Sequence, residues 1–103
     1  MSAAIPANSA MLQIQWHDRD PATGQRRFLR AQRFAGEWRF YLKLERRTPW
    51  MGAQQPTRVM WEHILDSLKR RYRRREGVED EDIEQVEKIL AEVIRLEELR
   101  KGG

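Results

Sequence analysis

Thr57–Arg75, TRVMWEHILDSLKRRYRRR, decides how the rest of the chain is read, because one stretch carries both a core-forming helix and the densest positive charge. At 100° per residue, Met60, Trp61, Ile64, Leu65, Leu68 and Tyr72 fall within an arc of roughly 140°, a core-facing stripe. Lys69, Arg70, Arg71, Arg73, Arg74 and Arg75 crowd its final turns. Arg71 and Arg75 project on the side of the stripe, so the last turn is expected to run past whatever the earlier turns pack on. A basic helix end then stands in solvent.

Working outward towards the C-terminus, Glu76-Gly77 supplies a stop of the kind that ends helices. Asp80, with acidic neighbours in the first turn, then opens a second helix running to about Arg100. Its apolar stripe of Ile83, Val86, Ile89, Leu90, Val93, Ile94 and Leu96 spans roughly 160°, more than one neighbouring helix needs. Glu84 and Lys88, four apart and in the favourable order, support its solvent side.

Working outward towards the N-terminus, period-two alternation replaces the helical period. Leu12, Ile14 and Trp16 alternate with Gln13, Gln15 and His17, the pattern of a half-buried strand. Asp20-Pro21-Ala22-Thr23-Gly24 has turn chemistry, with Pro pre-setting φ and Gly24 free to take φ > 0. Arg26–Phe34 and Glu37–Arg47 complete a three-stranded antiparallel meander, the last with Trp38, Phe40, Leu42 and Leu44 against Arg39, Tyr41, Lys43 and Glu45.

Two registers compete for the central strand. A type I turn at Phe34-Ala35 with Gly36 left-handed pairs Arg33 with Glu37, sets Phe28 on the face of Leu42 and aims Arg30 at the core side. A two-residue loop places Leu29 and Ala31 on that face instead. The first is preferred for its turn chemistry and its cross-strand charge pair. Thr48–Pro56 reads as a loop, with Trp50 and Met51 folding back over the core edge.

The predicted architecture is α+β, β-β-β-α-α, with the three-stranded meander followed by a two-helix hairpin packed on one sheet face. Two helices about 10 Å across match the width of three strands spaced about 4.8 Å apart, so the other face stays open. That face carries Arg39, Tyr41 and Lys43, with either Leu29 and Arg33 or Phe28 and Arg30. At 103 residues the chain fits one small domain, taken as residues 11–100 behind a disordered lead-in at 1–10.

Charge is distributed unevenly. Residues 1–75 hold 16 Lys/Arg against 6 Asp/Glu, and residues 76–103 hold 4 against 10, so +10 and −6 lie within a net +4. A basic surface for a polyanion is one reading. The other is mutual neutralisation in the fold, with helix dipoles favouring cations at the end of the first helix and acids at the start of the next.

Candidates for catalysis are sparse. His17-Asp18 with Asp20 has metal-binding and proton-transfer chemistry but no second histidine nearby, and His63 lies off the apolar stripe. No Ser-His-Asp pattern, phosphate-cradling glycine loop or paired carboxylates stand out, so neither an enzyme, a metal nor a cofactor is expected. Cysteine is absent, and no run is apolar enough to span a bilayer or act as a leader, so a soluble, cytoplasmic protein without membrane partners is expected. The tail Leu99-Arg100-Lys101-Gly102-Gly103 is similar to the di-glycine end of ubiquitin-like modifiers, but it follows a helix rather than a strand and reads as a frayed helix end.

The functional expectation is therefore a small non-catalytic nucleic-acid-binding or regulatory domain, for RNA or DNA. Its candidate contacts are Lys69, Arg70, Arg71, Arg73, Arg74 and Arg75 on the helix end with Arg39, Tyr41 and Lys43 on the open sheet face. Arginine contacts phosphates and stacks on bases, and an aromatic among arginines suits unpaired strands. At the level of architecture, a three-stranded sheet with a following helix resembles the DNA-reading domains of plant ethylene-response factors and some phage integrases. No sequence signature of either is present, so the resemblance assigns no residues. The alternative is a protein-interaction adaptor or homodimer using the second helix, in keeping with four tryptophans in so short a chain.

Overall fold

The computed structural model describes residues 12–52 and 55–102, and the lead-in proposed for residues 1–10 lies outside them. The element order is β1 (Leu12–Arg19), β2 (Arg26–Phe34), β3 (Glu37–Lys43), α1 (Arg58–Arg73) and α2 (Asp80–Gly102), the predicted β-β-β-α-α. The chain divides between Gln55 and Pro56 into a sheet unit and a helical unit.

In the sheet unit the strands pair antiparallel in the order β1-β2-β3. The first turn forms as its residues suggest. The Asp20 carboxylate accepts from the Ala22 and Thr23 N–H groups at 2.7 and 3.3 Å, and Gly24 takes φ +75°.

The second turn corrects the preferred register. Phe34 pairs with Glu37 across a two-residue loop in which Ala35 and Gly36 both have positive φ, +54° and +82°. This is the type I′ geometry, whose twist matches that of the flanking strands. The resulting rows are Trp16–Leu29–Leu42 and Ile14–Ala31–Phe40 on one face, Gln15–Arg30–Tyr41 and His17–Phe28–Lys43 on the other. Burial explains the choice. A one-residue shift would exchange Leu29 (1% exposed) and Ala31 (0%) for Phe28 and Arg30 on the buried face. Leu29 against Phe28 is close to an even exchange of apolar area, but Arg30 on the buried face would give up its hydration, which costs more than a left-handed alanine at about 1–2 kcal/mol.

β3 stops at Lys43, short of the predicted Arg47. The Thr48 N–H and hydroxyl both donate to the Glu45 carbonyl, at 3.3 and 2.9 Å, and turn the chain back. Leu42 and Met51 then exchange two backbone hydrogen bonds, at 2.9 and 2.8 Å. Trp50 is thereby carried onto the open face rather than over the core edge.

In the helical unit, Thr57 caps α1: its hydroxyl accepts from the Met60 N–H at 3.2 Å, and its own N–H donates to the Met60 sulfur at 3.2 Å. Met60, Trp61, Ile64 and Leu68 are buried as the stripe predicts, but Tyr72 is 43% exposed. The predicted stop at Gly77 comes two residues early. Arg74 ends the helix, Arg75 takes φ +60°, and the Arg75 and Glu76 N–H groups donate to the Tyr72 and Arg71 carbonyls at 3.1 and 2.9 Å. That is a Schellman closure with arginine where glycine is the usual occupant. Arg58 at the start of α1 reaches Glu97 near the end of α2 at 3.3 Å, as an antiparallel hairpin requires. Val86 is the fully buried residue of α2, whereas Leu96 and Leu99 remain 46% and 61% exposed. No helix among the described residues is long and apolar enough to cross a membrane.

Candidate nucleic-acid interface

The candidate residues lie in two places. Arg39, Tyr41 and Lys43 occupy alternate positions of β3 and so share the open face of the sheet. Lys69 to Arg75 lie at the end of α1 in the helical unit. Their surroundings differ.

On the sheet, the observed register adds Arg30 and Phe28 to Arg39, Tyr41 and Lys43, and the returning loop adds Trp50 and Arg46. The Arg30 guanidinium lies 4.4 Å and the Lys43 ammonium 4.6 Å from the Trp50 ring centre, and Arg46 lies 5.9 Å from that of Phe28. Such contacts are worth about 0.5–1 kcal/mol at exposed sites, which offsets part of the roughly 1.5–2 kcal/mol of rotamer entropy lost when a long cationic side chain is ordered. The Lys43 ammonium also donates to the Arg46 carbonyl at 2.8 Å, and the His17 ring meets Phe28 edge-on at 6.3 Å. Arg19 and Arg26 extend the same face at its far end. Among the described strand residues of this face the carboxylate is Glu37, 3.7 Å from Arg39. A depression of about 280 Å³ is lined by Phe28, Trp50, Gln15, Lys43 and Arg46 with parts of Trp16 and Leu29.

The opposite face handles its charge differently. Arg27 makes a two-pronged contact with Asp18 at 2.8 Å on each side, and these bonds raise its pKa above the ordinary arginine value.

At the end of α1 much of the positive charge is met within the unit. Lys69 lies 3.9 Å from Glu87 of α2, and Arg70 lies 3.2 Å from Asp66, one turn back. Arg71 is half-buried, and Tyr72 hydrogen-bonds Asp80, which holds its phenol above the usual tyrosine pKa. Arg73, Arg74 and Arg75 are exposed. Each exposed pair is worth at most about 1 kcal/mol, yet each also reduces the field available to a ligand. The acidic first turn of α2, Asp80, Glu81 and Asp82, follows directly in sequence.

Four contributors escape a sequence reading. Arg30 and Phe28 are misplaced by the wrong register, Arg46 lies past the end of β3 in what reads as its continuation, and Trp50 sits in a loop without periodicity. The alternation Arg39-Tyr41-Lys43 is the local hint that the sequence offers. Neither His17 nor His63 belongs to a cluster of three His, Asp or Glu side chains able to hold a metal among the described residues. No family model, no curated protein and no solved structure matches this chain.

Proposed function

We propose that this chain is a small non-catalytic nucleic-acid-binding protein of the cytoplasm whose principal contact surface is the open face of its sheet. The observation that carries the reading is the combination on that face of Arg30, Arg39, Lys43 and Arg46 with the rings of Phe28, Tyr41 and Trp50. Cations neutralise phosphates and release their counterions, while aromatic faces accept bases. Arg73, Arg74 and Arg75 add a secondary, purely electrostatic contact. The test is the solution mass of the wild-type chain with mixed RNA and DNA oligomers at rising salt. Complexes that weaken linearly in log affinity against log salt are expected; an absence of any complex near physiological salt refutes the proposal.

A second reading, a protein adaptor or homodimer through α2, is favoured by the exposure of Leu96 and Leu99. It predicts association without nucleic acid that added salt leaves intact.

A further inference from the structure

The depression on the sheet face has a chemistry of its own. Phe28 and Trp50 contribute aromatic walls, Gln15 an amide, and Lys43 and Arg46 two cations. Its volume, about 280 Å³, falls just below that of ligand-sized sites, which run from roughly 300 to 1,000 Å³. It therefore suits one planar group rather than an extended side-chain array. The cations already rest on the ring faces, Lys43 and Arg30 against Trp50 and Arg46 against Phe28. A phosphate beside the depression draws them towards itself and leaves ring surface for an incoming flat group.

Resting on the nucleic-acid reading, we infer that this depression is a pocket for a single unpaired nucleobase, with Phe28 and Trp50 stacking on the base and Lys43 and Arg46 holding the adjacent phosphates. The ligand class is thus single-stranded nucleic acid. In a duplex each base is stacked between its neighbours and cannot present its face to these rings, so a duplex engages only the cations. The Gln15 amide oxygen accepts from Arg30 and Gln13, which leaves its NH₂ group as a donor to a base edge, a single demand that several bases can meet. The position of Trp50 is held by the two backbone bonds between Met51 and Leu42, so the ring is in place before the ligand arrives and only the cations resting on it have to move.

The experiment compares three probes of similar charge with the full chain: a 12-nucleotide oligothymidylate, an all-abasic strand of the same length, and a short duplex. The thymidylate is expected to bind roughly tenfold more tightly than the abasic strand, since one stacked base is worth about one decade within the known range for base–aromatic stacking. Trp50→Ala should erase that difference while leaving abasic binding in place. Because Trp50→Ala removes a large side chain, Phe28→Leu is measured beside it, and it too should reduce the difference. Equal affinity for the thymidylate and the abasic strand overturns the pocket but leaves the electrostatic reading standing. No binding of any of the three overturns both.

Discussion

The open sheet face and the end of α1 carry the same kind of charge in opposite settings. On the sheet, Arg30 and Lys43 lie on the Trp50 ring, which leaves their charge to face a ligand. On α1, Lys69 and Arg70 face Glu87 and Asp66. A cation over an aromatic ring keeps its net charge, whereas a cation beside a carboxylate makes a dipole whose field falls off quickly. Charge density along a sequence is therefore a poor guide to the charge a surface can offer.

The end of α1 faces solvent and is held by the core upstream of it. Leu68, fully buried, should cost about 2–5 kcal/mol when cut to alanine, whereas Arg74→Ala should stay within about 0.5 kcal/mol. Equal shifts in the denaturation midpoint would mean that the helix is turned the other way.

The two regions can then be set against each other directly. Replacing Arg30, Lys43 and Arg46 with Gln should lower the slope of log affinity against log salt by about 2–2.7, three contacts at about 0.7–0.9 each. Replacing Arg70, Arg71, Arg74 and Arg75 with Gln removes four charges but should lower it by less, because Arg70 is already paired and Arg71 half-buried. Gln is a comparable helix former, so helicity by circular dichroism should hold. The reverse order of effects would return the principal site to α1.

The smallest expected effect concerns the same helix end. Arg75 occupies a left-handed conformation that disfavours a side chain, so Arg75→Gly should raise stability by about 1 kcal/mol even as it removes a charge. A drop in melting temperature would show that Arg75 contributes contacts worth more than its strain.

How much of this could be read in advance depends on the range of the interaction responsible. The alternation Leu12-Ile14-Trp16 and the stripe Met60-Trp61-Ile64-Leu68 are local patterns, and both elements form where those patterns lie. The central register turns on Ala35-Gly36. Ala-Gly lacks the Asn or Asp that usually marks a type I′ turn, so the competition was decided by the burial of Leu29 and Ala31, which is not local. The Asp66–Arg70 pair has a helical spacing visible in sequence, while Lys69–Glu87 exists only once the chain reverses between α1 and α2. Trp50 is the extreme case. Its place depends on backbone atoms of Leu42 and Met51, for which side-chain identity carries no signal.

The Met51–Leu42 bridge also bears on how copies of this chain behave when crowded together. β3 is an outer strand of the sheet, and outer strands offer unpaired N–H and C=O groups to any passing extended segment. At Leu42 those outward groups are already taken by Met51. A foreign strand seeking to extend the sheet on this side must first displace that return loop, and with it Trp50 from beneath Arg30 and Lys43. At this point of β3 the sheet is guarded against runaway growth by the same few residues that shape its open face.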